Sequence, residues 1–382
     1  MSDSSENERP RRQATRNDAS CRGQGFDENG THRTGHITPW MVGSVSTPGG
    51  KVPQVNTRLT LRDRWGTWKA RWGVGRMRYG IAPRLYAAGR PTDKSPVLVT
   101  ANYKMSFDRL RSQLTGIDAW VLVLDTKGIN VWCAAGKGTF GTDEIIHRVA
   151  AAKLEDVVSH RRLIVPQLGA PGVAAHEVKR GSGFRVLYGP VRAEDLRAFL
   201  AAGMQTTPEM RRVRFPVADR LAVAPVELMI AGRSMLLITA CLFVLSGLGS
   251  DGFSWTRVAT VGLGSTLLFL ATCLGSIVLA PLLLPWLPGR AFAVKGAWLG
   301  FAFLLGPGIY VWNHPDRLDS WFSAAAWCLL IPTVASFLTM NYTGASTFTS
   351  LSGVRLEVRV AAPIQAACAI LGATLWMVGR FT

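Results

Sequence analysis

Cys133 lies in the run Asn130-Val131-Trp132-Cys133-Ala134-Ala135-Gly136-Lys137-Gly138-Thr139-Phe140, shortly after the strand-like Trp120-Val121-Leu122-Val123-Leu124. A side chain placed there stands near the carboxyl edge of a sheet, where open α/β folds bind their ligands. Ala134, Ala135, Gly136 and Gly138 leave room for a large, flat group to approach the backbone. The thiol therefore reads as a metal or cofactor ligand, not a cross-link.

The elements that must position this thiol lie on both sides of it in the chain. Residues 1 to 55 are polar and read as a largely disordered tail; its His32 and His36 read as solvated residues before metal ligands. Residues 56 to 94 form a basic aromatic arm that interleaves Trp65, Trp68 and Trp72 with Arg62, Arg64, Lys69 and Arg71. Such a stretch could grip an anionic cofactor or a membrane surface, or pack its rings on the next domain. Residues 95 to 205 alternate strand and helix patterns, which predicts a parallel sheet of Rossmann type. The strands are Pro96–Thr100, Ala119–Leu124, Leu163–Val165 and Arg185–Tyr188. Helices are expected over Phe107–Leu114, Thr142–Leu154 with Thr142 as N-cap and Ile145, Ile146 and Val149 inward, Gly172–Lys179 and Ala193–Ala201.

A linker over 206 to 229 leads to an all-α domain over 230 to 382. Its apolar stretches run over 234–249, 258–280, 296–312, 321–340 and 360–378, each near the roughly 20 residues that cross a bilayer core. The first is short unless Val226–Ile230 extends it and Arg233 snorkels. Arg211, Arg212, Arg214 and Arg220 precede span one; Arg290 and Lys295 separate spans two and three; Arg355 and Arg359 separate spans four and five. The opposite loops carry Arg257 and Arg317. The positive-inside rule then puts the α/β domain in the cytoplasm and the C-terminus outside, in a multi-pass protein of the cytoplasmic (inner) membrane. Gly262, Gly264 and Gly275 in span two are expected to allow close helix packing.

Composition supports this division. The chain has 382 residues, 48% of them hydrophobic, a net charge of +18 and six cysteines. The charge calls for an anionic partner, but no basic-aromatic cluster matches a nucleic-acid module, so lipid headgroups are the expected partner and nucleic acid is not. Four cysteines (Cys241, Cys273, Cys328 and Cys368) sit in apolar segments as small hydrophobes, and Cys21 lies in the tail. Without any CxxC spacing, a zinc or iron–sulfur site built by this chain alone is not expected. The polar first thirty residues contain no secretory signal.

The Cys133 run resembles the cap-helix signature of the mercury-methylating corrinoid proteins. The likeness extends to Ser95–Asp108 (SPVLVTANYKMSFD), Val165–Val173 (VPQLGAPGV), Gly183–Pro190 and Met340–Val354 (MNYTGASTFTSLSGV), and to five spans after a Rossmann-like domain. Related corrinoid iron–sulfur proteins keep the domain but lack this cysteine. The resemblance implies a corrinoid (cobalamin-type, cobalt) cofactor with Cys133 as the lower axial metal ligand, and transfer of methyl from methylcobalt to Hg(II). It also implies a methyltetrahydrofolate-type donor system and a dicluster [4Fe-4S] ferredoxin-like electron donor.

By carry-over, Asn130, Val131, Trp132, Ala134, Ala135, Gly136 and Lys137 form the cap helix with Cys133. Trp132 fixes that helix, Lys137 meets the thiolate or a corrin amide, and Gly138, Thr139 and Phe140 shape the exit. Thr100 and Asn102 are expected at the nucleotide tail. The chemistry agrees: no DxHxxG motif offers a histidine, and a soft thiolate raises electron density on a metal that must release methyl to an electrophile such as Hg(II).

Other readings stand beside this one. Gly136-Lys137 fails the phosphate-loop pattern, with Val131 in place of its first glycine and Gly138 after the lysine. A nucleophilic cysteine would need His147, His160 or His176 as base. The Ser/Thr/Gly run over Asn341–Gly353 either contacts the corrinoid domain or substrate, or is a packed loop. The chain could instead be a corrinoid methyl carrier for another acceptor. A third possibility is a transporter or anchor with a Rossmann domain; the five spans as delimited contain no carboxylate, which counts against transport.

Overall fold

The computed structural model describes residues 39–315, 320–345 and 351–382. Cys21, His32, His36, Arg317 and residues 346–350 of the Ser/Thr/Gly run lie outside the described residues. The chain divides into two units. One comprises residues up to Arg64 together with Met77–Arg211, and the other Trp65–Arg76 together with Arg212–Thr382.

The α/β unit is built on one seven-stranded sheet in the order β1-β2-β3-β5-β4-β6-β7. Its elements are β1 (Met41–Thr47), β2 (Gly50–Val55), helix α1 (Leu61–Arg71, which continues into the other unit), β3 (Leu85–Ala88), β4 (Val97–Ala101), α2 (Lys104–Ser112), β5 (Ala119–Leu124), α3 (Val131–Lys137), α4 (Thr142–Ala151), α5 (Leu154–Val157), β6 (Arg162–Val165), α6 (Ala175–Ser182), β7 (Arg185–Tyr188), α7 (Leu196–Ala201) and α8 (Pro208–Arg211). The four expected strands are present, and β5, β4, β6 and β7 run parallel. Both β4 and β5 are buried along their whole length, so their continuous apolar runs suit central strands covered on both faces. Successive residues point to opposite faces: Val97, Val99 and Ala101 pack with Val131, Ala134, Ile145 and Val178, whereas Leu98 packs with Phe107, Leu196 and Phe199.

The sheet is not wholly parallel, and the expected domain boundary at 95 falls too late. β3 pairs antiparallel with β5, and β1 with β2. Residues 41–55, expected in the tail, are a hairpin at the sheet edge. Its strand β1 is mostly exposed and carries Ser, Gly and Thr, while Val52 and Val55 supply the inward contacts. Composition hides such an edge strand because a solvated edge needs few apolar side chains. Thr142 is not the cap of α4: Gly141 holds that position, and Thr142 Oγ1 accepts from Ala174 N at 2.9 Å. Ile145 and Val149 are buried as expected, with Ile146 half-buried.

An ion cluster ties the start of α1 to α2. Lys104 Nζ lies 2.8 Å from Asp63 and 2.7 Å from Asp108, and the fully buried Arg111 reaches Asp108 at 2.7 Å and Asp63 at 2.9 Å. Burial by itself would raise the Asp63 carboxyl, but hydrogen bonds from Lys104 and Thr60 outweigh it and hold the group below its ordinary value of 3.8.

The other unit contains α9 (Val217–Leu221), α10 (Ala224–Leu245), α11 (Trp255–Arg257), a π turn over Val258–Gly262, α12 (Leu263–Leu283), α13 (Phe292–Asn313), α14 (Trp321–Asn341) and α15 (Leu351–Val378). Five helical segments here are long and apolar enough to cross a membrane. They exceed the stretches read from sequence, since the first extends over Val217–Leu245. Glu227 therefore lies within α10, where it accepts from Asn341 Nδ2 at 2.6 Å, and Glu357 lies within α15, where it accepts from Ala293 N at 2.6 Å. The expectation of carboxylate-free spans is corrected, and the argument it offered against transport goes with it.

Arg220 and Lys295 donate to carbonyls at the end of α12, Arg220 to Leu282 at 2.7 Å and Lys295 to Leu284 at 2.8 Å. Cations are favoured at that helix terminus. Close helix approach is on α13, not mainly on span two. A Cβ at Gly296 would meet Ser336 Cα at 2.7 Å, and one at Gly300 would meet Ile331 O at 3.0 Å. Of the expected glycines, Gly275 receives the Phe303 ring and Gly262 packs on Phe243 and Ser246, while Gly264 faces open space.

Candidate functional site

Helix α3 has only seven residues, and both its ends are tied off. Asn130 is its N-cap: the side-chain oxygen accepts from Cys133 N at 2.9 Å. Gly138 closes it in the left-handed conformation at φ +80°, and Thr139 N returns to Ala134 O at 3.0 Å. Val131, Ala134 and Ala135 face the core, Trp132 and Cys133 are half-buried, and Gly136, Lys137 and Gly138 are exposed. Cys133 thus shares its face with Gly136 and Lys137, three and four residues on. Its thiol is free, and nothing larger than glycine crowds it from the next turn except the flexible Lys137.

The helix rests on a 3-10 turn over Gln167–Gly172. A Cβ on Gly172 would run into Phe140 O and come 3.1 Å from Ala135 Cα, and one on Gly169 would enter the Phe140 ring. Two glycines thus allow the turn to touch α3 and Phe140 directly. Phe140 is fully buried there and borders no exit, contrary to expectation. Its ring is the wedge between the cap helix and its seat.

The loop from β5 into α3 is held by Asn102. The buried side-chain oxygen of Asn102 accepts from Thr126 N at 3.1 Å, Thr126 Oγ1 at 2.8 Å and Gly128 N at 2.9 Å, while its amide donates to Asp125 at 3.2 Å. With both its side-chain oxygen and its amide engaged, Asn102 positions the loop. Asp125 is fixed in turn: its N–H donates to Glu144 at 2.8 Å, and Lys127 Nζ lies 2.6 Å from its carboxylate. Burial works to raise Asp125, but the Lys127 hydrogen bonds prevail and keep it below its ordinary value.

Beside α3 lies a cavity of about 360 Å³ with a largely apolar wall, including Leu98, Thr100, Trp132, Ile164, Pro166 and Pro190. Taken in chain order, the parallel strands lie 2-1-3-4, which places the switch point between β4 and β6. Those two strands pair through Leu98 and Ile164, and both residues line the cavity, which therefore lies at the switch point. Of the two residues expected at the nucleotide tail, Thr100 lines the cavity and Asn102 does not; Trp132, expected to fix the cap helix, lines it as well. Among the histidines weighed as bases, His160 Nε2 sits 2.9 Å from Ser95 O, and His147 and His176 are exposed.

Residues 78–200 match the family described as CO dehydrogenase/acetyl-CoA synthase delta subunit. The gamma subunit of the acetyl-CoA decarbonylase/synthase complex of Archaeoglobus fulgidus is 32% identical over 120 residues, covering 31% of this chain and 25% of the relative. The corresponding gamma 2 subunit of Methanosarcina thermophila is 35% identical over 112 residues, 28% of this chain and 24% of its own. The corrinoid/iron-sulfur protein large subunit of Moorella thermoacetica is 28% identical over 123 residues, 32% of this chain and 27% of its own.

The α/β segment is similar to subunits of acetyl-CoA decarbonylase/synthase complexes and to the large subunit of a corrinoid/iron-sulfur protein. The chain spans about a quarter of the length of the curated relatives it matches, and the match stops short of the five apolar helices.

A corrinoid can be tested against these residues. Among the described residues, no group of three or more His, Cys, Asp or Glu could hold a metal ion. A metal that brings its own macrocycle needs only one further donor, and Cys133 is a single free sulfur on an uncrowded face. The apolar crevice meets α3 at Asn130, Val131 and Trp132, one residue before Cys133, which does not itself line it, and its wall suits part of a planar organic group. The residues fit. Gly169, Gly172, Thr126 and Glu144, which hold the site together, escaped the sequence reading; Gly169 and Gly172 nonetheless lie in its quoted VPQLGAPGV block.

Proposed function

We propose that this chain is a membrane-bound, corrinoid-dependent methyltransferase whose methyl acceptor is Hg(II), with methylmercury as product. The observation that carries this reading is Cys133 on a doubly capped, closely seated helix, in a segment similar to a protein whose name specifies a corrinoid. Asn130, Trp132, Gly136, Lys137, Gly138 and Thr139 would border the corrinoid around Cys133, with Thr100 in the adjoining crevice, while Val131, Ala134 and Ala135 would anchor the helix beneath it from its core face. The cofactor, when bound, supplies a metal centre able to carry a methyl group.

The chain's own part would be to present one sulfur and to keep it in place through the capped ends of α3. As a thiolate, Cys133 would be a soft, electron-rich donor to such a metal, which suits a soft electrophilic acceptor such as Hg(II). Lys137, one turn away, supplies a positive charge on the same face. Low-potential electrons must come from elsewhere, since six scattered cysteines build no cluster motif. A dicluster ferredoxin-like protein is the proposed donor, and a methyltetrahydrofolate-type system the proposed methyl source. The proposed location is the cytoplasmic membrane with the α/β unit on the cytoplasmic side.

The test is anaerobic methylmercury formation by wild type and Cys133→Ala, with Hg(II), methyl donor and ferredoxin supplied. Near-total loss in the variant, with cobalt content measured in both, supports the assignment. Equal product from both would remove Cys133 from the reaction. Bound cobalt without product from wild type would point to a different acceptor.

A further inference from the structure

Helix α1 is built inside out for a helix in water. At about 100° per residue, Leu61, Trp65, Trp68 and Trp72 fall on one face, within roughly 60° of each other. That face points outward over its first two turns: Leu61 is 83% exposed, Trp65 58% and Trp68 49%, Trp65 stacks on Trp68 with ring centres 4.9 Å apart, and Trp72 at the end is half-buried. The opposite face carries Asp63, Gly66, Thr67 and Ala70, of which Asp63 and Ala70 are buried. A helix stabilised by its own protein alone would turn the tryptophans in and the small and polar residues out.

Charge completes the pattern. By the same rotation, Arg62 and Lys69 flank the aromatic stripe on one side, and Arg64 and Arg71 flank it on the other. All four are exposed. The helix's only acid, Asp63, is turned away and paired with Lys104 and Arg111, so it does not offset them. Two tracks of cations bordering a stripe of indoles match an anionic bilayer surface: the rings enter the headgroup boundary and the cations meet phosphates. The location agrees. Trp65–Arg76 belongs to the unit that contains the five long apolar helices, and a Cβ at Gly73, just past α1, would lie 3.7 Å from Met229 Cβ in the first of them.

We infer that α1 is an interfacial helix that docks on anionic phospholipid headgroups of the same membrane its chain crosses. The inference rests on the membrane reading of the five helices.

The experiment uses the full chain in nanodiscs of phosphatidylcholine, alone or mixed with phosphatidylglycerol, doped with phospholipid carrying a diazirine near the headgroup. After photolysis, lipid adducts are mapped by peptide mass spectrometry. Adducts over 61–76 are expected in phosphatidylglycerol discs. They should fall by roughly tenfold in the exposed-surface variant Arg62→Gln/Arg64→Gln/Lys69→Gln/Arg71→Gln. Adducts on peptides from the ends of the five apolar helices report insertion separately. If those appear while 61–76 stays at the level of α6, the inference is overturned, as it is if the variant labels like wild type. Absence of adducts on the five helices themselves would instead overturn the membrane reading.

Discussion

Asn102 shows how one amide sets the geometry of a site it does not enter. It meets three donors from the β5–α3 loop and gives its amide to Asp125. Asn102→Ala would remove one acceptor from the buried Thr126, whose N–H and hydroxyl also reach Leu124 O and Ile129 O, and the side-chain acceptor of the half-buried Gly128 N–H, each bond worth on the order of 1 kcal/mol. We expect the α/β unit to lose roughly 2–3 kcal/mol in urea unfolding, and cobalt content to fall although Cys133 is intact. Unchanged stability would show that the loop finds other partners. Cys133 itself shows the complementary case, a residue whose type invites a role and whose neighbours leave it free to perform it.

At the scale of elements, the contact between α3 and its 3-10 seat is decisive. Gly172→Ala puts a methyl group against Phe140 O and Ala135, so either the turn or the cap helix must move. Overpacking of this kind costs about 1–3 kcal/mol. The expected outcome is a lowered melting temperature and reduced methylmercury formation, with insertion of the helical unit unaffected. A second element-scale prediction concerns the Asp63 cluster. The folded Asp63 carboxyl lies below its unfolded value of 3.8, so its contribution is complete above 3.8 and is lost as pH falls below it. Asp63→Asn should cost on the order of 3 kcal/mol at neutral pH, because Arg111 and Lys104 lose a buried counter-charge. The gap between variant and wild type should narrow in acid unfolding below pH 3.8; a gap independent of pH would contradict the clamp.

For the whole molecule, the five apolar helices and their basic ends predict topology. Arg220 and Lys295 gather at one end of α12, and that end should face the cytoplasm. An odd number of crossings then leaves Thr382 on the opposite side from the α/β unit. Alkaline phosphatase fused after Thr382 should be active in bacterial cells, and green fluorescent protein at the same point dark. The reverse pattern would invert the orientation and place Cys133 outside the reducing compartment its thiol calls for.

Features carried by local pattern were legible in the chain itself. The four parallel strands, the five apolar runs and the small residues around Cys133 follow from hydropathy period, run length and side-chain size, which depend on near neighbours in sequence. Features that depend on which distant surfaces meet were not. The edge hairpin at 41–55 owes its place to pairing with β3, and Asn102 owes its role to the adjacency of β4 and β5, which brings Thr126 and Gly128 to it from 24 and 26 residues away. Phe140 was misplaced at an exit because only the glycine seat reveals which way its ring turns. Tertiary structure likewise decided that α1 turns its tryptophans outward, since burying Asp63 between Lys104 and Arg111 fixes the rotation of the whole helix.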